Sequence, residues 1–368
     1  MPEQPDTSTQ LVLMFGPVDA PDAAWFDHVA HVWPAAARVY CSGGGQIMDG
    51  VVDDASVIVT AVQFSSTSVH PIVRDGADLG HCASLGADIG RALADVPALN
   101  HVLVFAEGVA MNATKFLTAL NETLPTTVKV SGGLASDGLA LTRTVVGLNA
   151  PPQSGQIVAI GLAGDALVTA TGSVGGWEAF GPERIVSRSE LSTVFELDGE
   201  NALDVYKRYL GEFARELPGI ALLFPLAVWQ RDGGPVSVRT ILAVDDAVGS
   251  LRFAGDIPQG SIVRLMRTST DKLIDGAASA ARIAAARLAA DSAAVAPGLT
   301  ICVSCIGRRA VMRSRVEEEL EEIVFGDRTV PVIGFYSNGE IAPPSDGRDF
   351  AQAVLHNQTM TVTTIGER

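Results

Sequence analysis

The sequence predicts an α/β protein with two related domains, in which mixed β-sheets are flanked by helices. Apolar strands alternate with helical segments along the chain, as in layered α/β folds. A block of strand, helix, strand and glycine-rich turn occurs three times, and such repetition indicates duplicated structural units. The length of 368 residues also exceeds what one core usually supports. These observations together favour two domains over one.

The first block is predicted to contain a strand at residues 11–15, a helix at 22–32 and a second strand at 37–41. The second block has its strands at 101–105 and 126–131, with a helix that begins after Asn112, a good N-cap residue, and ends near residue 120. In the third block the strands are at 299–305 and 330–335 and the helix at 314–325. Each block ends in a turn of small residues.

Two of these turns end in the same way, with Gly45 before Gln46 and Gly339 before Glu340. Glycine lets backbone N–H groups approach a ligand that bulkier residues would hold off. Duplicated halves tend to share a cleft, so we expect these turns to line one. Gln46 is neutral where Glu340 is acidic, so the two turns do not offer a pair of catalytic carboxylates.

Segments rich in Val, Thr and Ile lie between the blocks, at residues 57–64, 142–148, 156–161, 167–172 and 236–244. They are predicted to be strands joined by hairpins, which makes the sheets mixed. Further helices are predicted at 76–94, 201–216 and 275–294, and the last is rich in alanine and suited to close packing. The polar stretch at 187–199 is the predicted boundary, giving domains of residues 1–198 and 199–368.

Composition restricts the classes of partner. Hydrophobic residues make up 47% of the chain and charged residues 18%, which excludes a largely disordered protein. The net charge of −16, without a basic cluster, argues against nucleic acid and anionic lipid. The longest apolar stretch, residues 220–229, is too short to span a membrane. With no Lys or Arg before Arg38 and four cysteines, we expect a cytoplasmic protein with reduced thiols.

Familiar catalytic motifs are missing, since there is no nucleophile elbow, His-Glu-x-x-His pair or phosphate-binding loop. Cys302 and Cys305 have the spacing of redox and zinc sites, but on a strand they point to opposite faces, so no metal site is predicted. One enzymatic alternative stays open. Cys305 could act as a nucleophile, with Arg308 favouring the thiolate and His356 as base.

Taken in order, the motifs resemble those of the FIST family, whose N and C domains occur in tandem. The resemblance covers nearly the whole chain and includes the stretches at residues 41–47, 132–137, 305–308, 334–341 and 356–359. They are similar to the family's Gly-Cys-Ser-Thr-x-Gly-Glu-Ile, Gly-Gly-x-Ala-x-Asp, Cys-x-Gly-Arg, Gly-Phe-x-x-x-Gly-Glu-Ile and His-Asn-x-Thr elements. Tyr40 and Gln46 depart from the first element, which usually has Gly and Glu there.

The resemblance implies an intracellular sensor that binds a small ligand, with amino acids among those suggested, and signals to a partner such as a histidine kinase or a cyclic-dinucleotide enzyme. We expect this signalling to occur in trans. No cofactor is predicted, although a haem-binding nitric oxide sensor is an alternative that the family also implies. The predicted ligand-binding residues are Ser42, Gly43, Gly44, Gly45, Gln46, Gly132, Gly133, Asp137, Arg308, Tyr336, Ser337, Asn338, Gly339 and Glu340. Backbone donors of the turns would hold a carboxylate while Glu340 meets an ammonium group.

Overall fold

The computed structural model describes residues 4–19, 21–78, 80–231, 233, 236–291, 295–324, 330–344 and 352–368. Up to residue 174 the helices are α1 (Ala23–Val32), α2 (Cys82–Ala94) and α3 (Ala113–Thr123). The strands of this part are β1 (Leu11–Gly16), β2 (Ala37–Ser42), β3 (Gln46–Met48), β4 (Val51–Asp53), β5 (Ile58–Val62), β6 (Ser68–Asp75), β7 (Leu99–Ala106), β8 (Lys129–Leu134), β9 (Val146–Leu148), β10 (Gln156–Ala163) and β11 (Leu167–Val174).

Beyond residue 174 the helices are α4 (Ala202–Leu210), α5 (Thr270–Asp291), α6 (Ile306–Met312) and α7 (Glu318–Val324). The strands are β12 (Glu178–Ala179), β13 (Arg184–Glu190), β14 (Thr193–Leu197), β15 (Glu200–Asn201), β16 (Leu226–Trp229), β17 (Ser237–Arg239), β18 (Ile241–Asp245), β19 (Ser250–Phe253), β20 (Ile262–Arg267), β21 (Leu299–Cys305), β22 (Val332–Ser337), β23 (Gly339–Ala342), β24 (Val354–His356) and β25 (Met360–Glu367).

The three repeated blocks each form a parallel strand pair, β1 with β2, β7 with β8, and β21 with β22. The other ladders among the described strands are antiparallel, and they extend these pairs into mixed sheets with the orders β5-β1-β2-β9, β24-β23-β8-β7-β10-β6 and β11-β25-β21-β22-β3-β4. A further antiparallel sheet has the order β17-β16-β20-β13-β14-β19-β18. The predicted α/β class with mixed sheets and flanking helices is confirmed.

The blocks are joined to one another in a ring. The strand after the first block, β3, pairs with β22 of the third block, and the strand after the third block, β23, pairs with β8 of the second. The turn after β8 continues the pattern, because the Ser136 N–H donates to the Ser42 carbonyl at the end of β2. The segment that follows each block therefore forms backbone hydrogen bonds with a neighbouring block. This arrangement brings the three turns to the same end of the molecule.

Aromatic rings from the three blocks meet in the middle of the largest core cluster. Phe15, Phe105 and Phe335 are fully buried, and their ring centroids lie 4.9 to 6.2 Å apart. Rings at these separations add specific packing to the area that they bury. The centre of the ring of blocks is thus a packed core.

In the second and third blocks, glycine is required where the two parallel strands of the block come very close. A Cβ at Gly132 would lie 1.9 Å from the Val104 carbonyl oxygen, and at Gly334 one would lie 1.7 Å from that of Cys302. The residue pairing of the strands places both glycines at the same position of their blocks. Tyr40 occupies the corresponding position of the first block. The departure at Tyr40 therefore changes strand packing in the first block.

Four helix predictions need correction. The helix predicted at 76–94 begins at Cys82, and the helix predicted at 275–294 begins at Thr270. Two shorter helices replace the helix predicted at 314–325. The first, α6, begins directly after β21 and ends before Arg313, which has a φ of +53°. A helix cannot continue through that left-handed backbone; α7 then begins at Glu318, and residue 325 lies outside the described residues. The helix predicted at 201–216 ends at Leu210 and continues as a 3-10 helix.

The two predicted domains share sheets. Seven ladders among the described strands join a strand before residue 198 to one after residue 199. Three of them belong to the sheets of the repeated blocks, β3 with β22, β8 with β23, and β11 with β25. The others are β12 with β20, β13 with β20, β14 with β15, and β14 with β19. The predicted boundary at 198/199 falls between β14 and β15, which pair with each other. The boundary itself stays a prediction, but the ladders show that the two parts do not move as separate bodies without breaking backbone hydrogen bonds.

Candidate functional site

The structure brings the three predicted turns together. Each turn donates one backbone N–H to a carbonyl near the end of a strand in a neighbouring block: Ser136 to Ser42 at 2.8 Å, Gly44 to Tyr336 at 2.8 Å, and Asn338 to Leu134 at 3.2 Å. These three hydrogen bonds occupy equivalent positions in the three blocks. The turn amides that make them are therefore used within the protein and are not free to hold a carboxylate.

Side chains also connect the turns. The Ser136 hydroxyl donates to Oδ1 of Asn338 at 2.7 Å, and Nδ2 of Asn338 donates to the Gly108 carbonyl at 3.2 Å. A Cβ at Gly44 would lie 3.0 Å from the Ser136 Oγ. The first, second and third turns thus contact one another around Asn338.

Glu340 lies inside this arrangement and is fully buried. Its Oε1 accepts from the Ser337 hydroxyl at 2.7 Å, and its Oε2 accepts from the Thr359 amide and hydroxyl at 3.0 and 2.8 Å. Burial disfavours the charged form and raises the pKa of Glu340 to about 7, against the opposing effect of these hydrogen bonds. The predicted contact with a ligand ammonium stays a prediction, and in this structure both oxygens are engaged by the protein.

Gln46 is the structural counterpart of Glu340. Gln46 pairs opposite Phe335 on β22, and Glu340 pairs opposite Gly133 on β8, at equivalent positions of the two blocks. Gln46 is also fully buried; its amide donates to the Gly43 carbonyl at 3.3 Å, while its Oε1 has no hydrogen-bond partner. Both side chains therefore point into the protein interior beneath their turns.

Arg309 holds the first turn in place and was missed by the sequence reasoning. Its guanidinium pairs with Asp54 at 2.6 and 2.8 Å, donates to the Gly44 carbonyl, and lies over the Tyr336 ring. A Cβ at Gly45 would meet the same guanidinium. The adjacent arginines at 308 and 309 were the available signal, but sequence does not show which of them reaches the turn.

Arg308 is a structural residue in this arrangement. It is fully buried and forms an ion pair with Glu319 at 2.6 Å, and it donates to the carbonyls of Gly175 and Leu273. Glu319 also accepts from the Tyr336 hydroxyl at 2.8 Å. The Arg308 guanidinium and the Tyr336 hydroxyl thus both bond to other residues of the protein. Their predicted role as ligand-binding residues stays a prediction.

A cavity of about 260 Å³ opens beside the turns, and we call it the Cys305 cavity. Among the described residues, Asn338 and Cys305 are the predicted site residues that line it. The full lining is formed by Leu139, Leu141, Pro218, Gly219, Leu222, Thr240, Ile241, Leu242, Ala254, Cys305, Ile306, Gly307 and Asn338. Most of these are apolar residues from separate segments, so no local motif could have identified them.

The loop after the second turn covers one side of this cavity. Asp137 braces it by accepting hydrogen bonds from the amides of Leu141, Thr142 and Arg143 at 2.8 to 2.9 Å. Burial alone would raise the pKa of Asp137, but these backbone hydrogen bonds lower it below its usual range. Asp137 therefore acts as a turn residue that sets the position of Leu139 and Leu141, which line the cavity.

The three residues of the enzymatic alternative do not form a catalytic group. Burial raises the pKa of the Cys305 thiol, and the nearby Glu340 carboxyl raises it further. The His356 Nε2 lies 3.2 Å from the carbonyl oxygens of Ala342 and Pro343, and burial lowers its pKa to about 4. No hydrogen bond joins Cys305 to His356 or Arg308 within the part of the chain that the structure describes. The Arg308 charge lowers the pKa of Cys305, but the effects of burial and of Glu340 are larger and keep the thiol protonated.

A haem site needs an axial ligand, and no histidine is among the described residues that line the Cys305 cavity. The buried His101 ring is occupied at both nitrogens, by Thr169 at 3.0 Å and Ser131 at 2.8 Å. Burial lowers the pKa of His101 to about 3. The described residues also contain no cluster of three or more metal-ligating side chains. The donor groups around the cavity therefore do not fit an axial haem ligand.

Within the described ranges, none of the helices combines the length and the apolar character needed to cross a bilayer.

Comparisons with known proteins match two family models to this chain. Residues 10–200 match the FIST N domain, and residues 202–343 match the FIST C domain. Comparison with curated proteins gave no significant match. Among solved structures, the chain is similar to a chorismatase with a TM-score of 0.35 and 10% identity, covering 100% of this chain and 95% of that one. A cyanuric acid hydrolase has a TM-score of 0.18 and 11% identity, with 82% and 100% covered.

Proposed function

We propose that this chain, which belongs to the FIST family, is a sensory protein that binds a small ligand in the Cys305 cavity and signals in trans to a partner. FIST domains are sensory domains, and the chain contains the N and C domains in tandem. The position of the cavity carries the proposal. Its lining comes from both matched domains and includes Cys305, Gly307 and Asn338, which belong to motifs shared with the family.

The shared sheets restrict how binding is transmitted. A rigid shift of one domain against the other would break the ladders β3 with β22, β8 with β23, and β11 with β25. The cavity walls outside these ladders include the loop with Leu139 and Leu141 and the 3-10 segment Gly219–Leu223. A ligand stabilises whichever arrangement of these walls it contacts best. We therefore place the signal at the surface of these two segments.

The family resemblance extends the proposal to a cytoplasmic location and to a partner such as a histidine kinase or a cyclic-dinucleotide enzyme. It also suggests an amino acid as ligand. The cavity lining contains no charged side chain, so an amino acid would have to hold its carboxylate and its ammonium group on backbone groups and on the polar side chains present.

A thermal-shift screen tests the proposal. The purified protein is heated with amino acids, small carboxylates, neutral amides and alcohols, and haem, because a ligand selective for the native state raises its melting temperature. We expect a saturable shift that is lost in Ala254→Leu, which fills the Cys305 cavity. The matched control Ala278→Leu places the same side chain in a separate cavity of about 660 Å³ beside α5 and should retain the shift. No shift in the panel, or shifts equal in both variants, would contradict the proposal.

A further inference from the structure

We infer that the Cys305 cavity takes a neutral, mainly apolar molecule of about ten non-hydrogen atoms with a single amide or hydroxyl group. The inference rests on the proposed function and specifies its ligand class. It follows from the charge, the polar atoms and the volume of the cavity.

The lining carries no charge. None of its described residues is Asp, Glu, Lys, Arg or His. The nearby carboxyl of Glu340 already accepts three hydrogen bonds from Ser337 and Thr359. A charged group that loses its hydration without gaining a partner binds weakly, because burial of an unpaired charge is strongly unfavourable. The lining therefore discriminates against carboxylates, ammonium ions and zwitterions.

One polar side chain of the lining has no partner. Thr240 lines the cavity, is only 4% exposed, and its hydroxyl makes no hydrogen bond. The hydroxyl oxygen is itself buried, so it reaches a ligand when the side chain rotates about its Cα–Cβ bond. Buried polar groups are normally hydrogen-bonded. A ligand amide or hydroxyl offers both a donor and an acceptor and would satisfy the Thr240 hydroxyl in that rotamer.

The remaining polar side chain of the lining makes no such demand. Asn338 accepts from Ser136 and donates to the Gly108 carbonyl, so its amide is already paired. Beyond these groups the walls are aliphatic, and they favour a hydrocarbon body. A cavity of about 150 Å³ is known to accept benzene, and drug-sized ligands need about 300 Å³ or more. The volume of about 260 Å³ lies between these limits and sets the size of the ligand.

A set of probes with one carbon skeleton and different charges tests the inference. The probes are 4-methylpentanamide and 4-methylpentan-1-ol, compared with 4-methylpentanoate, 4-methylpentylammonium and leucine, in calorimetric titrations at neutral pH. We expect the amide or the alcohol to bind at least about tenfold more tightly than each charged analogue. Thr240→Val should weaken amide binding about 3- to 10-fold, the loss of one hydrogen bond. The free Thr240→Val protein should be as stable as the parent, because the lost hydroxyl had no partner.

The outcomes separate this inference from the proposed function. Tighter binding of leucine or of either ion, abolished by Ala254→Leu, would overturn the neutral ligand class and leave the cavity as the sensory site. Binding of the amide that Ala254→Leu does not change would place the ligand elsewhere and overturn both. If neither neutral probe binds while the wider screen yields a charged ligand, the inference fails alone.

Discussion

At the scale of single residues, the turns contain side chains of two kinds. Asn338 lines the Cys305 cavity, whereas Glu340 and Asp137 are turned towards the protein and hold their own turns in shape. Thr359, within the motif that resembles His-Asn-x-Thr, supplies two of the three hydrogen bonds to Glu340. A carboxyl with this role affects stability more directly than it affects ligand contact.

Replacing Glu340 by Gln should change how stability depends on pH. Since the folded-state pKa of Glu340 is raised from 4.5 to about 7, the folded protein keeps a proton that the unfolded chain has lost. Its contribution is therefore full below pH 4.5 and is lost as the pH rises through 7, a change of about 3 kcal/mol. From pH 5 to pH 8 the free energy of unfolding of the parent should therefore fall, relative to that of Glu340→Gln, by most of this amount. Denaturant titrations of both proteins at both pH values measure the difference.

The reciprocal variant, Gln46→Glu, provides the control at the equivalent buried position. It introduces a carboxyl without the Thr359 hydrogen bonds, so its stability should fall relative to the parent as the pH rises. Equal pH dependence of the parent and Glu340→Gln would show that the carboxyl of Glu340 does not titrate in this range.

At the scale of secondary-structure elements, α6 is one of the elements that line the cavity, and it is held by a buried ion pair. Arg308 on α6 reaches Glu319 on α7, and its remaining donors bond Leu273 on α5 and Gly175 after β11. The Ser304 hydroxyl at the end of β21 donates to Glu319 at 3.0 Å. One guanidinium thus connects four segments, and the wall formed by Ile306 and Gly307 depends on it.

Breaking this pair from one side should be strongly destabilising. Glu319→Gln keeps the shape of the side chain but leaves the Arg308 charge buried without its counter-ion, at a cost of about 3 to 5 kcal/mol. The double variant Arg308→Met with Glu319→Leu should lose less than the sum of the single changes, as measured in a double-mutant cycle by chemical denaturation.

The pair between Arg315 and Glu318 serves as the comparison, because Glu318 directly precedes Glu319 in the sequence while its 2.7 Å ion pair lies on the surface. Glu318→Gln should leave stability nearly unchanged, since solvent screens exposed ion pairs. A cycle in which the buried changes are additive would mean that Arg308 and Glu319 do not act as a pair.

At the scale of the whole molecule, the two predicted domains are one interlocked structure. Separate expression of residues 1–198 and 199–368 should give fragments that aggregate or unfold without cooperativity, because each exposes unpaired strand edges where β3, β8 and β11 met β22, β23 and β25. Co-expression should recover a complex. Circular dichroism and thermal melts of each fragment provide the measurement; a sharp melt of either fragment alone would contradict it.

Much of the scaffold was predictable because its signals are local. Short apolar segments located β1, β7 and β21, and the N-cap residue Asn112 marked the start of α3. The end of α6 was not predictable in this way. It depends on a positive φ at Arg313, where the sequence has neither glycine nor proline.

The sequence by itself determined the repeated blocks, the α/β class and the turns that meet, because strand and helix patterns and glycine positions act over a few neighbouring residues. Only the tertiary structure decided which side chains line the Cys305 cavity. Thr240 and Leu139 reach the same cavity from segments about 100 residues apart, and Glu340 turns inward because the hydrogen-bond donors of Ser337 and Thr359 lie there. Such contacts depend on how distant segments pack together, and no local pattern encodes that packing.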